Sequence, residues 1–275
     1  MYLVATPIGN ARDITLRALD ILISADVLAA EDTRSLRRLM DIHGVALGGR
    51  PLLSYHDHNG DRVRPRLLQY LSEGASVAYA SEAGTPLLAD PGYDLGRAAT
   101  AQGAVVTAAP GASALLAALC VGGLPTDRFL FGGFLPNTQA ARRSALSALR
   151  EVPATLVFYE SPKRLAAMLA DAVRCLGPDR PAAMARELTK KFEECRRLPL
   201  GELAENMAET SVKGEVVVMI ARGEGDKFTQ KEIETKIEHA LETMSVRDAS
   251  DAVAGATGLP RRKVYQIALE LARKG

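Results

Sequence analysis

The stretch Val77 to Asp94, V-A-Y-A-S-E-A-G-T-P-L-L-A-D-P-G-Y-D, limits the folds open to this chain more than any other. Its first four residues, Val77 to Ala80, form an apolar, β-leaning run with the length of a buried strand. The run stops at Ser81-Glu82-Ala83-Gly84-Thr85-Pro86, where Gly84 permits a turn that a side chain would block and Pro86 sets the exit. A second turn, Asp90-Pro91-Gly92, is placed to cap a following helix. Open α/β sheets bind ligands in the crevice beyond the carboxyl ends of their strands. A strand that ends in an acidic residue and a Gly-Pro loop fits such a site. It equally fits an ordinary strand-to-helix connection, so the rest of the chain has to decide.

The same unit recurs. Tyr2 to Ala5, Val27 to Ala30, Leu52 to Tyr55 and Val105 to Ala108 read as strands. They end in Thr6-Pro7-Ile8-Gly9-Asn10, Glu31-Asp32-Thr33-Arg34, His56-Asp57-His58-Asn59 and Pro110-Gly111-Ala112-Ser113. Asp13 or Thr15 can cap a helix running to about Ser24. Strand, turn and helix in repetition predict a mostly parallel sheet covered on both faces. A second α/β unit follows, with strands over Phe129 to Phe134, Thr155 to Tyr159, Met184 to Glu187 and Glu215 to Ala221. A polar helix around Ala140–Arg150 carries Arg142 and Arg143, and Ser161-Pro162 has the form of an N-cap with Pro at the first helical position. After Gly223-Glu224-Gly225-Asp226 only helical periodicity remains, interrupted at Gly258-Leu259-Pro260 in the manner of a helix-turn-helix. The expected organisation is an α/β domain over 1–112, a second over 113–224, and a helical C-terminal domain over 225–275.

Composition excludes several classes. A formal net charge of +1 gives no global basic field, so nucleic-acid binding has to come from local patches. Cys120, Cys175 and Cys195 are scattered and odd in number, which points to a reducing, cytoplasmic setting and away from a disulfide scaffold or structural zinc. Met1 leads almost at once into an apolar strand, so no leader is expected, and no apolar run has the length of a membrane span. A Walker A loop, a G-x-G-x-x-G after the first strand and a G-x-S-x-G elbow are all missing.

Several residues suit chemistry. Glu31 and Asp32 can serve as a general base, or pair with Arg34. His56 and His58 would share one side of a continued strand, but Asp57 would point away and no third ligand is close, so no metal is assigned. Glu160, Arg186 and Glu187 can line a cleft or form ion pairs at strand ends. Arg261-Arg262-Lys263 is a basic triplet, either a solvated face or a nucleic-acid contact.

One ordered set of segments carries a resemblance. It comprises T-P-I-G-N at Thr6–Asn10, A-E-D-T-R at Ala30–Arg34, H-D-H-N at His56–Asn59 and S-E-A-G-T-P…D-P-G at Ser81–Gly92. It continues with P-G-A-S-A at Pro110–Ala114, G-L-P-T-D-R-F…G-F-L-P at Gly123–Pro136, F-Y-E-S at Phe158–Ser161 and A-R-E-L-T-K at Ala185–Lys190. Together these resemble the ribosomal RNA small-subunit methyltransferase I family, a branch of the tetrapyrrole methylase fold, over roughly Met1 to Arg222, and the helical appendage is similar to that family's C-terminal region. Glu82 stands where the family usually has Asp.

The resemblance implies S-adenosylmethionine as methyl donor and a cytidine ribose 2′-hydroxyl in the decoding region of 16S ribosomal RNA as acceptor. It also implies the 30S subunit as the context, a homodimer, and no membrane. By position it implies a cofactor site made of Pro7, Ser81, Glu82, Ala83, Gly84, Pro110, Gly111, Ala112 and Ser113, closed by Glu160, Arg186 and Glu187. A ribose hydroxyl is a poor nucleophile that a carboxylate or histidine would assist, which singles out Glu31, Asp32, His56 and His58. Phosphate contacts would come from Arg34, Arg37, Arg38, Arg142, Arg143, Arg261, Arg262 and Lys263. Two other readings stay open: a methyltransferase of this fold acting on a tetrapyrrole, and a non-catalytic RNA-binding protein, for which Glu82 is the sole support.

Overall fold

The computed structural model describes residues 1–88, 92–210, 212–223, 230–257 and 259–272. The Asp90-Pro91 turn and the Glu224-Gly225-Asp226 and Gly258 breaks expected from sequence lie outside the described residues.

The first half of the chain alternates strand and helix. In order come β1 (Tyr2–Val4), α1 (Leu16–Ser24), β2 (Val27–Ala30), α2 (Thr33–Ile42), β3 (Leu52–Ser54), α3 (Gly60–Ser72), β4 (Val77–Ala80), α4 (Gly92–Ala101), β5 (Thr107–Ala109) and α5 (Ala114–Gly122). The strands form one wholly parallel sheet in the order β3-β2-β4-β1-β5. Parallel strands need covering on both faces, and their side chains alternate between those faces. Leu28, Ala30, Ala78 and Ala80 therefore pack with Ala18 and Leu22 of α1 and Leu36 and Met40 of α2. Val27, Ala29, Val77 and Tyr79 face the other way, onto Leu67 of α3 and Leu95 and Ala99 of α4.

Helix ends are closed from within. Thr15 accepts a hydrogen bond from the Ala18 amide at the start of α1. At its far end the Arg50 guanidinium donates to the carbonyls of Leu22 (2.7 Å), Ile23 (3.0 Å) and Ala25 (2.8 Å), groups that a helix leaves without partners. Val105, expected inside a strand, precedes β5 and is 81% exposed. Its carbonyl instead accepts from the Met1 amine at 2.7 Å.

The second half builds β6 (Phe129–Phe134), α6 (Gln139–Ala148), β7 (Thr155–Glu160), α7 (Pro162–Leu176), β8 (Pro181–Arg186), β9 (Glu194–Pro199), α8 (Leu200–Ala208) and β10 (Val216–Ile220). Its sheet runs β6-β7-β10-β8-β9. Only β6 and β7 pair in parallel; the pairs involving β10 and β9 are antiparallel. This sheet is therefore mixed, unlike the wholly parallel sheet of the first half. Strands β7 and β8 do run in one direction across the α7 crossover, but the last strand enters the slot between them reversed. The edge strand β9, E-C-R-R-L-P, was not expected as a strand because it is polar. Helix α5 packs Leu115, Ala118 and Leu119 onto Val157, Ala183, Val217 and Met219, so the chain leaves the first sheet by covering the second. Both sheets belong to one compact unit, Met1–Ala148 with Ala154–Ala221.

Arg142 and Arg143 were expected to contact phosphates. Arg142 is instead 5% exposed and donates through Nε to Asp171, itself 1% exposed, at 2.7 Å. Arg143 reaches the other carboxylate oxygen at 2.5 Å. The interior of α6 and α7 thus engages both guanidinium groups.

A second compact unit takes Leu149–Pro153 and Arg222–Gly275. Its helices are α9 (Gln230–Leu241), α10 (Val246–Thr257) and α11 (Arg261–Ala272). They share a core of Ile233, Ile237, Val253, Val264 and Ala268, with Leu241, Ile267 and Leu271 against it. Ser245 caps α10, its hydroxyl accepting from the Asp248 amide and donating to the Asp248 carboxylate.

Burial alone would raise the Asp171 carboxyl, but the hydrogen bonds from Arg143 and Arg142 outweigh it and hold it below its ordinary value. Removing the carboxylate strands a buried guanidinium, so Asp171→Ala should lower unfolding free energy by about 3 kcal/mol in urea titrations. Because the folded-state carboxyl is depressed, the wild-type contribution is present above the ordinary aspartate range and fades as pH falls through the lowered value. The Ala variant should lose that part of the acid sensitivity.

Candidate functional site

The loops after β4, β1 and β5 lie side by side, because those strands are neighbours. Gly84 adopts φ +82°, a conformation open to glycine. From it, Thr6 and Gly84 form an isolated antiparallel bridge: the Thr6 amide donates to the Gly84 carbonyl at 2.9 Å and the Gly84 amide returns the bond at 3.0 Å. Ser81 donates its hydroxyl to the same Gly84 carbonyl at 2.6 Å, and Thr6 donates to the Ser81 carbonyl at 3.2 Å. The third loop joins through Thr85, whose hydroxyl donates to the Ala112 carbonyl at 3.0 Å. Gly111 lets that loop approach β1: a Cβ there would sit 2.9 Å from the Ala5 Cβ. Ser113 caps α5.

These loops form one wall of a cavity of about 320 Å³, contributed by Ile8, Ala83, Gly84, Thr85, Leu88 and Ala114. The opposite wall comes from the second sheet: Phe134, Tyr159 to Pro162, Leu188 and Gly214 to Val217. Its size suits a small ligand. The non-glycine residues with positive φ among those described are Leu87 (72°), Glu187 (50°) and Thr189 (67°). They flank Leu88 and Leu188, so the strained backbone presents the two lining leucines.

The cavity is mostly apolar with a few polar groups. Burial pushes the Tyr159 hydroxyl up, which keeps it a proton donor. Glu160 is 3% exposed; Oε1 accepts from the Ser161 amide at 2.7 Å and faces Arg164 Nε at 3.2 Å. Its Oε2 is buried and has no partner among the described residues. A buried acceptor of this kind suits a ligand that brings a hydroxyl or ammonium donor.

Glu187 and Arg186 do not line the cavity. Arg186 is bonded to Glu194 at 2.9 Å. Glu187 accepts from Lys190 at 2.8 Å, which holds its carboxyl below the ordinary range. Lys190 also reaches Glu215 at 2.9 Å, and Thr189 accepts from the Asn10 amide at 3.2 Å. These bonds pin the β8–β9 connection to the β1 loop. Pro7, Ser81, Glu82, Pro110, Gly111, Ala112 and Ser113 lie on the loops but outside the lining, and Glu82 is exposed. Phe134, Tyr159 and Leu188 line the cavity without having been singled out. Each sits in one of the segments that carry the family resemblance, beside charged and glycine residues of more conspicuous chemistry. Val216 and Val217 carried no signal beyond that of a buried strand.

A second, polar cavity of about 470 Å³ lies beyond β3, lined by His56, Asp57, His58, Asn59, Asp61 and Arg62. The two imidazole rings are 6.0 Å apart and inclined at 66°. Strand β3 ends at Ser54, so the histidines sit in a turn and not on one face of a strand. Among the described residues no group of three or more His, Cys, Asp or Glu is arranged to hold a metal ion. Asp32 caps α2, accepting from the Arg34 amide at 2.7 Å and then from its side chain, which lowers its carboxyl. Arg34, Arg37 and Arg38 are exposed along α2, Arg34 being paired with Asp32. On α11, Arg261 is bound to Asp251 at 2.8 Å, while Arg262 and Lys263 are exposed.

The profile of the family described as Tetrapyrrole (Corrin/Porphyrin) Methylases matches residues 1–204. A profile described as the RsmI C-terminal HTH domain matches residues 230–272. The chain is 46% identical over 272 residues to ribosomal RNA small subunit methyltransferase I of Mesorhizobium japonicum, covering 98% of this chain and 92% of that protein. It is 40% identical over 279 residues to the protein of that name from Escherichia coli O157:H7, covering 98% and 94%. Among solved structures it is similar to uroporphyrin-III C-methyltransferase from Thermus thermophilus complexed with S-adenyl homocysteine. There the TM-score is 0.55 at 22% identity over 81% of this chain and 96% of that one, a likeness of fold.

A Cβ at Gly84 would meet Ile8 Cγ2 at 3.2 Å in addition to an unfavourable φ, whereas one at Gly133 (φ +60°) would meet nothing within 4 Å. Gly84→Ala should therefore destabilise by about 2 kcal/mol and Gly133→Ala by about 1 kcal/mol in urea titrations. Equal costs would show that the close packing at Gly84 carries no energy.

Proposed function

We propose, for a chain that belongs to the tetrapyrrole (corrin/porphyrin) methylase family, that it transfers a methyl group from S-adenosylmethionine to ribosomal RNA of the small subunit. The observation that carries this reading is the likeness, at 46% identity and across 98% of the chain, to a protein named for that activity. A matched C-terminal helix-turn-helix unit supports it. The finer form of the proposal is 2′-O-methylation of a cytidine ribose in the decoding region of 16S RNA, on the 30S subunit, by a cytoplasmic homodimer. No helix among the described residues is long and apolar enough to cross a membrane.

S-adenosylmethionine supplies a methyl group on a sulfonium whose positive charge fades in the transition state. A site that bound that charge strongly would favour the ground state, so alignment matters more than charge. The largely apolar cavity fits that requirement. Ala83, Gly84 and Thr85 would hold the cofactor on one side and Glu160 on the other, with Glu160 Oε2 accepting from one of its donors. The β8–β9 connection, pinned through Lys190 and Thr189, keeps Leu188 in the wall. Glu82 is exposed and lies outside the lining.

Calorimetry should detect S-adenosylmethionine binding to the wild type and at least about tenfold weaker binding to Glu160→Gln, as expected for a lost charge-assisted hydrogen bond. Tritium from the methyl group should then appear in 16S RNA of 30S subunits from a strain lacking this methylation. Label confined to protein or tetrapyrrole would sink the proposal.

Phosphate contacts would come from the exposed faces of α2 and α11. With Arg261 engaged by Asp251, the triplet offers Arg262 and Lys263, both exposed. Changing both to Ala should weaken 30S binding and flatten the slope of log K against log salt by about two units. An unchanged slope would remove α11 from the RNA interface.

A further inference from the structure

We infer that the Phe134 ring is the platform on which the base of the acceptor nucleotide stacks while its ribose hydroxyl enters the apolar cavity. This rests on the RNA 2′-O-methylation reading above.

The placement of Phe134 begins in an irregularity of β6. The strand runs in register with β7 through Phe129 opposite Thr155, Leu130 opposite Leu156 and Phe131 opposite Val157, and resumes with Phe134 opposite Tyr159. Three steps along β6 therefore match two along β7, which is a bulge of one extra residue at Gly132-Gly133. Side chains alternate between the faces of a strand, so without the bulge Phe131 and Phe134 would point opposite ways. The extra residue returns Phe134 to the face of Phe131. Both rings then pack edge-to-face with Tyr159, at centroid distances of 4.8 Å for Phe131 and 5.8 Å for Phe134. Each glycine has its own reason. Gly133 takes φ +60°, and a Cβ on Gly132 would lie 2.5 Å from Phe158 Cε1. Beyond the bulge the chain is tied down, since Arg164 donates to the carbonyls of Leu135 and Pro136 and to the Asn137 side chain.

Among the described residues, the aromatic side chains in the cavity lining are Phe134 and Tyr159. They differ in what they offer a ligand. Tyr159 is half-buried and flanked by the two phenylalanines. Phe134 borders the same cavity yet is 56% exposed, so it stands at the mouth with ring surface open. Ala83, Gly84, Thr85 and Glu160 hold the cofactor in the reading above, and a cavity of about 320 Å³ has the size for one small ligand. The acceptor nucleotide therefore approaches at the mouth. Its base hangs from the ribose carbon next to the one that bears the 2′-hydroxyl. Whatever site brings that oxygen to the methyl group thus has the base beside it. RNA bases drawn out of their own stack are held on aromatic faces in this way. Every base has such a face, so Phe134 supplies affinity and alignment and leaves the choice of base to other groups.

The adenine of the cofactor also has a flat face, and the test separates the two rings. Methyl transfer to 30S subunits and calorimetric binding of S-adenosylmethionine are measured for Phe134→Leu and Phe134→Tyr. Leucine keeps apolar bulk without a flat face, and tyrosine keeps the face. Phe134→Leu should lower kcat/KM for 30S subunits by about 5- to 150-fold, the range for one lost base–aromatic stack. Its affinity for S-adenosylmethionine should stay within threefold of wild type. Phe134→Tyr should keep both quantities within threefold. Undiminished kcat/KM in Phe134→Leu would overturn the proposal, as would a Phe134→Tyr variant as impaired as the leucine one. A matching loss of cofactor affinity in Phe134→Leu would assign the ring to adenine and overturn it equally. A wild type that binds the cofactor yet labels no RNA would instead refute the underlying reading.

Discussion

The pair of backbone hydrogen bonds between Thr6 and Gly84 is the contact on which the site depends. Parallel strands leave their carboxyl-end amides and carbonyls without ladder partners, and such groups must be satisfied by something. Here two neighbouring loops satisfy each other, with Ser81 and Thr6 side chains closing the remaining acceptors. That mutual satisfaction needs φ +82° at Gly84. It turns the chain sharply enough for Ala83, Gly84 and Thr85 to face the cavity while the Gly84 amide and carbonyl stay engaged.

The second sheet completes the site by a different device. Its contribution is a wall of side chains, held by charges that are themselves paired. Lys190 is shared by Glu187 and Glu215, and Arg164 ties Glu160 to the carbonyls of Leu135 and Pro136 at 2.6 and 3.3 Å. Buried charges cost desolvation unless paired, so these ion pairs mainly fix geometry. The strained residues Glu187 and Thr189 persist because Lys190 and Asn10 hold both sides of the turn.

Much of the first half was legible from residues alone. Val27 to Ala30 and Val77 to Ala80 are apolar throughout, and a strand covered on both faces has no reason to be otherwise. The glycine and proline loops then located the carboxyl edge. The second half was harder to read for physical reasons. Strand β9 is an exposed edge, and its arginines hide the alternation. The reversal of β10 leaves no local trace, since strand direction is a property of pairing. At the site, conspicuous residues were overvalued. Arg142 looks like a phosphate ligand in sequence, and only its proximity to Asp171 shows otherwise. Leu188 and Tyr159 look like ordinary core, and only the opposing loops show that they border a cavity.

The position of β10 also bears on how the chain comes to be folded. Strands β7 and β8 are made well before it, yet neither touches the other; each waits for Val216–Ile220 to fill the space between them. A polypeptide emerging from its amino end can close the parallel sheet early, from strands that all end by Ala109. The second sheet must remain open in the middle, with two unpaired apolar edges, until nearly all of the unit has been synthesised. Unpaired edges are where chains associate wrongly. Closure of the second sheet therefore rests on one five-residue strand that is among the last parts of the unit to be made.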